Sequence, residues 1–166
     1  LQMRNSSTHS ICHTYKTKQF QKNCYNKDDE VLHYDIESHK RQINGHTIPY
    51  FEQMPFIVGF VFKQRYGYFS GRDCMKKFYK FIISHNDEIK YINAYNGSNY
   101  DHYFLWREHM KTSSNIKQND ILVNSGSIIS ATINKMKLID LNKHLTGSLR
   151  QNLETCGCQI SKGEID

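Results

Sequence analysis

No apolar run in this 166-residue sequence approaches the roughly 20 residues that a membrane-crossing helix needs. The first ten residues, LQMRNSSTHS, also lack the apolar stretch of a secretory signal peptide. The expectation is a chain that does not span a membrane and is not exported by that route. Internal repeats and long low-complexity tracts are missing as well, which argues against a solenoid or propeller. Hydrophobic residues make up 38% and charged residues 23%, enough apolar surface to expect a packed core rather than general disorder. The length allows one domain and hardly two.

Cysteine is sparse and odd in number. Five cannot all pair, and Cys156 and Cys158 stand too close in sequence to bridge comfortably, so a reducing compartment is expected. An acidic excess is absent too: 22 Lys and Arg against 16 Asp and Glu give a net charge of +6. That balance suits a polyanionic partner such as nucleic acid, and it equally suits an ordinary solvated surface. The abundance of Lys, Asn, Ile and Tyr is what AT-rich coding DNA produces, as in many viruses, plasmids and organelles. The chain begins at Leu1, which reads as a trimmed piece, a processed product or an unusual start.

Residues 1–30 are polar and without periodicity, and they read as an irregular, basic N-terminal arm. His9, Cys12, His13 and Cys24 are the candidate soft ligands for zinc there, although their spacing lacks the paired short steps of a standard finger. From Val31 the pattern changes. Residues 31–37 (VLHYDIE) read as a strand ending in acids, Asn44-Gly45 as a turn, 56–62 (FIVGFVF) as a nearly continuous buried strand, and 65–69 (RYGYF) as a further strand. Ser70 is expected to cap a helix in which Met75, Phe78, Tyr79, Phe81 and Ile82 fall at helical spacing. Residues 89–95 return to strand, Asn96-Gly97-Ser98-Asn99 is turn chemistry, and 100–110 carry the aromatics of a half-buried helix. Short strands are expected at 121–123, 127–133 and 136–141, separated by Ser-Gly and Asn-Lys turns. A helix over 149–156 stopped by Gly157 closes the chain. The fold class is α/β, a mixed sheet with helices, over residues 31–166.

The sharpest chemical feature is Tyr34-Asp35-Ile36-Glu37. Two carboxylates at i and i+2 on a strand share a face and can share a cation. Asp-x-Glu is common, and by itself it describes two solvated acids at a strand end. Asp101 adds support: it starts a helix directly after a core strand, where α/β sheets gather their sites. Two-metal phosphodiester hydrolysis needs a carboxylate that bridges both ions, so Asp35 is the candidate bridge, with Glu37 and Asp101 each completing one shell around Mg²⁺ or Mn²⁺. A fourth acid is expected. Asp140 is a candidate, and it reads equally as an acid oriented by neighbouring backbone. His85, His102, His109 and His144 are scattered singly and read as surface or packing residues, and Trp106 reads as core.

At these residues the sequence resembles the N-terminal 3′–5′ exonuclease domain of protein-primed family B DNA polymerases, found in small phages, linear plasmids, mitochondria and some large DNA viruses. YDIES at 34–38 is similar to the first exonuclease motif, and AYNGSNYDHYFL at 94–105 is similar to the second. The segment 138–166 resembles the family's substrate-contacting region, although Asn152 stands where an apolar residue is expected and Cys156-Gly157-Cys158 where an aromatic-Gly-Leu turn is expected. The resemblance covers about residues 31–166 and implies a ribonuclease H-like (DnaQ-like) exonuclease fold. It implies Asp35, Glu37 and Asp101 as metal ligands, and Asn96, Tyr100, Ser148 and Leu149 as contacts to a single-stranded DNA 3′ end. Read without it, Asn96 and Tyr100 simply shape a turn and fill the core.

The family's third motif, a Tyr followed four residues later by an Asp, would lie beyond Asp166, so the 166 residues alone are expected to have reduced or no exonuclease activity. The remainder of a DNA polymerase, or a larger assembly, is the expected partner, at a mitochondrial, viral or plasmid replication site. The competing expectation is a polymerase-derived domain without catalysis, serving as a structural or RNA-binding subunit, for instance in a mitochondrial ribosome. Its binding would depend strongly on salt.

Overall fold

Alternation along one long strand organises the fold. In β2 (Val31–Ile43), Leu32, Tyr34 and Ile36 point into the core while His33 and Asp35 are exposed on the other face. This computed structural model describes residues 15–16, 28–43, 50–145 and 147–157. Besides β2 it contains β1 (Tyr15–Lys16), β3 (Tyr50–Phe62), β4 (Arg65–Ser70), α1 (Cys74–Ser84), β5 (Tyr91–Ala94), α2 (Asp101–Thr112), β6 (Ile121–Asn124), β7 (Ser127–Ile133), β8 (Met136–Asp140) and α3 (Leu149–Thr155). The strands join in the order β1-β4-β3-β2-β5-β8-β7-β6. The pairs β2–β5 and β5–β8 are parallel and the other pairs antiparallel, so this is an open mixed α/β sheet with helices packed on it. Among the described residues no helix is long and apolar enough to cross a membrane.

Three tight hairpins link neighbouring strands through Lys63-Gln64, Ser125-Gly126 and Asn134-Lys135, and all six of these residues have positive φ. Turns of that hand match the right-handed twist of the strands they join. Between β2 and β3 the register shifts at Glu37/Ser38, where Ser38 pairs with Pro55 and Glu37 with Ile57. Pro55 therefore sits at a bulge, where its missing N–H costs little of the ladder.

Helices α1 and α2 cover the face that carries Tyr34. Phe78 of α1 lies 5.1 Å from the Tyr34 ring and 5.6 Å from Phe60, centroid to centroid, and is completely buried. Cys74, Met75, Tyr79 and Ile82 share its face, as their spacing requires. In α2, Leu105 and Trp106 enter the same core. The helix start differs from expectation. Ser70 is the last residue of β4 and caps nothing, because the Gly71 N–H bonds the Phe56 carbonyl at 2.8 Å and carries strand pairing past it. Asp73 precedes α1 instead. At the other end of the chain Ser148 caps α3, with its Oγ accepting the Gln151 N–H, and Gly157 follows at φ 72°. His9, Cys12, His13, Cys24 and the Asn44-Gly45 turn lie outside the described residues.

Candidate active site at the ends of the parallel strands

The parallel strands set the site. Pairing between β2 and β5 stops at His33 and Asn93, so the edge of β2 beyond His33 has no strand beside it. Asp101, the first residue of α2, fills that place: its Oδ1 accepts the Ile36 N–H at 3.2 Å. A side-chain carboxylate thus continues the ladder between Asp35 and Glu37. Those two acids project from the opposite face to the helices, Asp35 exposed and Glu37 half-buried. Gly59, opposite Asp35 on β3, leaves nothing within 4 Å of where a Cβ would stand, so the sheet is open beside Asp35.

Asp101 is 3% exposed. Burial first, then the negative charge of Asp35, push its carboxyl up to about 7, against the pull of its own N–H and that of Ile36. Asp140 adds a smaller upward push. This carboxyl therefore gains from any cation that approaches Asp35.

Below it runs a buried polar relay. The Tyr34 hydroxyl lies 2.7 Å from His102 Nδ1, and His102 Nε2 lies 2.9 Å from the Ile139 carbonyl. A carbonyl only accepts, so Nε2 carries the proton and Nδ1 accepts from the phenol; we assign the tautomer on this basis. Burial supports both neutral forms. It lowers the His102 pKa, and together with Asp101, Asp35 and Asp140 it raises that of Tyr34 well above the usual phenol. One side chain from each of β2 and α2 and one carbonyl of β8 are so joined.

Asp140 ends β8 and is buried. Its carboxylate accepts the Ser98 N–H at 3.0 Å and the Asn142 N–H at 2.9 Å, so it is an acid oriented by backbone that fixes the turn before α2. Within that turn Asn96 adopts φ 60° and its Oδ1 accepts from Asn99 at 2.7 Å. The Tyr100 hydroxyl is hydrogen-bonded to Ser38 Oγ, which donates to Gln53 at 2.9 Å, and its ring meets Phe104 edge-on at 5.1 Å. Ser148 and Leu149 are exposed at the start of α3. That helix is tied to the end of β5 by Tyr95, whose hydroxyl donates to the Gly147 carbonyl and accepts from Asn152 at 2.9 Å. Asn152, polar where the family resemblance implies an apolar residue, makes this bond with its side-chain amide.

The structure thus seats Asp101 against β2 between Asp35 and Glu37, sets Glu37 on the face of Asp35, holds Asp140 on the turn before α2, and gathers Asn96 and Tyr100 around the α2 start. Among the described residues no three His, Cys, Asp or Glu side chains are grouped closely enough to form a ready metal cage. Asp35 and Asp101 are hard oxygen donors of the kind Mg²⁺ and Mn²⁺ take. The sequence reading missed the Tyr34–His102 relay. Its signal was the strand alternation, which buries Tyr34 and obliges its hydroxyl to find a partner. The sequence matches no protein-family model and no curated protein.

Proposed function

We propose that this chain is the exonuclease-type domain of a DNA polymerase resembling the protein-primed family B enzymes, acting on single-stranded DNA 3′ ends by metal-dependent phosphodiester hydrolysis. The observation that carries the reading is Asp101, buried at the α2 start and bonded to β2 between Asp35 and Glu37. Supporting it is the topology: three antiparallel strands β2–β3–β4, then β5 and β8 parallel to β2 with α2 between them, compatible with a ribonuclease H-like arrangement.

When bound between these acids, Mg²⁺ or Mn²⁺ supplies Lewis acidity and a water of lowered pKa. Asp35 and Asp101 would hold the ion, with Glu37 beside Asp35. Burial keeps water from screening Asp101, so its charge attracts a cation more strongly than a surface carboxylate does. Asp140 and the Tyr34–His102 relay position the α2 start and touch no substrate. Around the rim, Tyr100 offers a ring face, Asn96 a side-chain amide and Leu149 an exposed apolar surface for an unpaired 3′ nucleotide.

The test is Mn²⁺ titration of the chain together with digestion of 3′-labelled single-stranded DNA, for the wild type, Asp101→Asn, and an Asp35→Ala, Glu37→Ala double variant. Saturable Mn²⁺ binding with at most weak metal-dependent shortening, both lost in the variants, is expected. Mn²⁺ binding that survives in the variants refutes the site. DNA binding with neither Mn²⁺ binding nor shortening refutes the catalytic reading and leaves a nucleic-acid-binding domain.

A further inference from the structure

Well along α2 from Asp101, a cleft of about 350 Å³ opens where strands β2 and β3, the start of α1 and the later turns of α2 meet. Five cationic side chains line it: Arg41, Arg72, Lys76, Arg107 and Lys111. Three carboxylates line it too, those of Glu52, Asp73 and Glu108, which leaves a surplus of two positive charges. Each carboxylate is already engaged. Glu52 pairs with Arg41 at 3.4 Å and with Arg107 at 3.6 Å, Asp73 with Lys77 at 3.0 Å, and Glu108 with Lys111 at 2.7 Å. Arg72 and Lys76 make no ion pair among the described residues.

Arg107 is the unusual member. Its Nε is buried and has no hydrogen-bond partner among the described residues, while its guanidinium packs 5.4 Å from the Phe104 ring centroid and its side chain remains 42% exposed. It is the exposed remainder of this guanidinium, held among the described residues only by the long contact with Glu52, that faces the cleft. Guanidinium groups match phosphate oxygens through paired N–H donors, and the two-charge surplus equals the charge of a phosphate monoester above its second pKa, near neutral pH. The volume sits at the small end of ligand pockets, room for a phosphate and one attached ring system rather than a long chain. Met54, Pro55 and Met75 form the apolar wall on which such a ring can lie.

We infer that this cleft binds a phosphate monoester of nucleotide size, with Arg72, Lys76 and Arg107 holding the phosphate. The ligand is either a free mononucleotide or the phosphorylated 5′ end of a strand. The site does not depend on the exonuclease reading, since it shares no residue with the Asp35–Asp101 pair.

Calorimetric titration of the full chain in metal-free buffer tests it, with deoxyadenosine 5′-monophosphate, a 5′-phosphorylated dinucleotide, the same dinucleotide with a 5′ hydroxyl, deoxyadenosine and inorganic phosphate as probes. Saturable binding of a phosphorylated probe is expected, at least tenfold weaker for the nucleoside and for an Arg72→Ala, Lys76→Ala double variant, both of whose positions are exposed and without an ion pair among the described residues. Arg107→Lys, which keeps the charge and removes the paired guanidinium donors, should weaken it as well. Tighter binding of the monophosphate assigns the free nucleotide, and tighter binding of the phosphorylated dinucleotide assigns the strand end. Equal binding by the double variant overturns the inference, as does binding of inorganic phosphate as tight as that of the nucleotide. Binding that vanishes in Asp35→Ala but survives in the double variant also overturns it, by placing the nucleotide at the other site.

Discussion

Replacing Asp101 by Asn should stabilise this protein, and the reason is the carboxylate's own position. Its carboxyl is held at about 7 when folded, against 3.8 for an ordinary Asp. Below both values the group is protonated in both states and contributes nothing. As pH rises through 3.8 the unfolded chain releases a proton that the folded chain keeps, so stability falls until about pH 7 and is then flat. Three units at about 1.4 kcal/mol each give roughly 4 kcal/mol as the full loss at pH 8. Asn retains an oxygen acceptor for the Ile36 N–H, and its amide N–H groups must find partners in a buried place, which takes back about 1–2 kcal/mol. The net expectation is that Asp101→Asn is about 2–3 kcal/mol more stable than wild type at pH 8. Urea denaturation in chelator at pH 5 and pH 8 measures it: the wild type should lose about 2–3 kcal/mol across that interval and the variant should lack this part of the slope. Added Mg²⁺ or Mn²⁺ should restore the wild type alone. A variant less stable than wild type at pH 8, or one with the same slope, would show that Asp101 is not the strained acid the geometry describes.

Other outcomes follow from the packing. Tyr34→Phe leaves His102 Nδ1 as a buried acceptor without its donor, and should cost about 1–3 kcal/mol in chemical denaturation while the fold is kept. No change in the denaturation midpoint would mean that water satisfies the ring. Gly97→Ala brings a Cβ within 2.8 Å of both the Ala94 Cβ and the His102 ring, which is tied at both nitrogens and cannot swing away. A loss of about 1–3 kcal/mol is expected, with a shifted His102 signal in NMR spectra; an unmoved His102 resonance would sink the argument. Phe78→Ala empties the centre of the aromatic cluster and should cost about 3–5 kcal/mol, read as a lower melting temperature by circular dichroism. A cost under about 1 kcal/mol would place the core elsewhere.

Local pattern carried most of the elements. The period of two over Val31 to Ile36 and the helical spacing of Met75, Phe78, Tyr79 and Ile82 report burial directly, because each face repeats at the period of its own backbone. Ser125-Gly126 and Asn134-Lys135 announced their turns through Gly126 and Asn134, which tolerate positive φ. Lys63-Gln64 did not: neither residue favours that conformation, and the pairing of β3 with β4 imposes it. The start of α1 was displaced for a similar reason, since a backbone bond from Gly71 to Phe56 outweighed the capping tendency of Ser70.

For the site, the sequence by itself determined that Asp35 and Glu37 share one face of β2, and that Asp101 begins a helix after a core strand. Both are consequences of spacing along one element. Only the tertiary structure decided that Asp101 lies against Ile36, that Tyr34 reaches His102, and that Asp140 is held by backbone amides. It also decided that Arg41, Arg72 and Arg107, far apart in the chain, line one cleft. Such juxtapositions depend on which strand edge is left uncovered and on how helices seat on the sheet. These are outcomes of packing between distant segments, and no local periodicity encodes them.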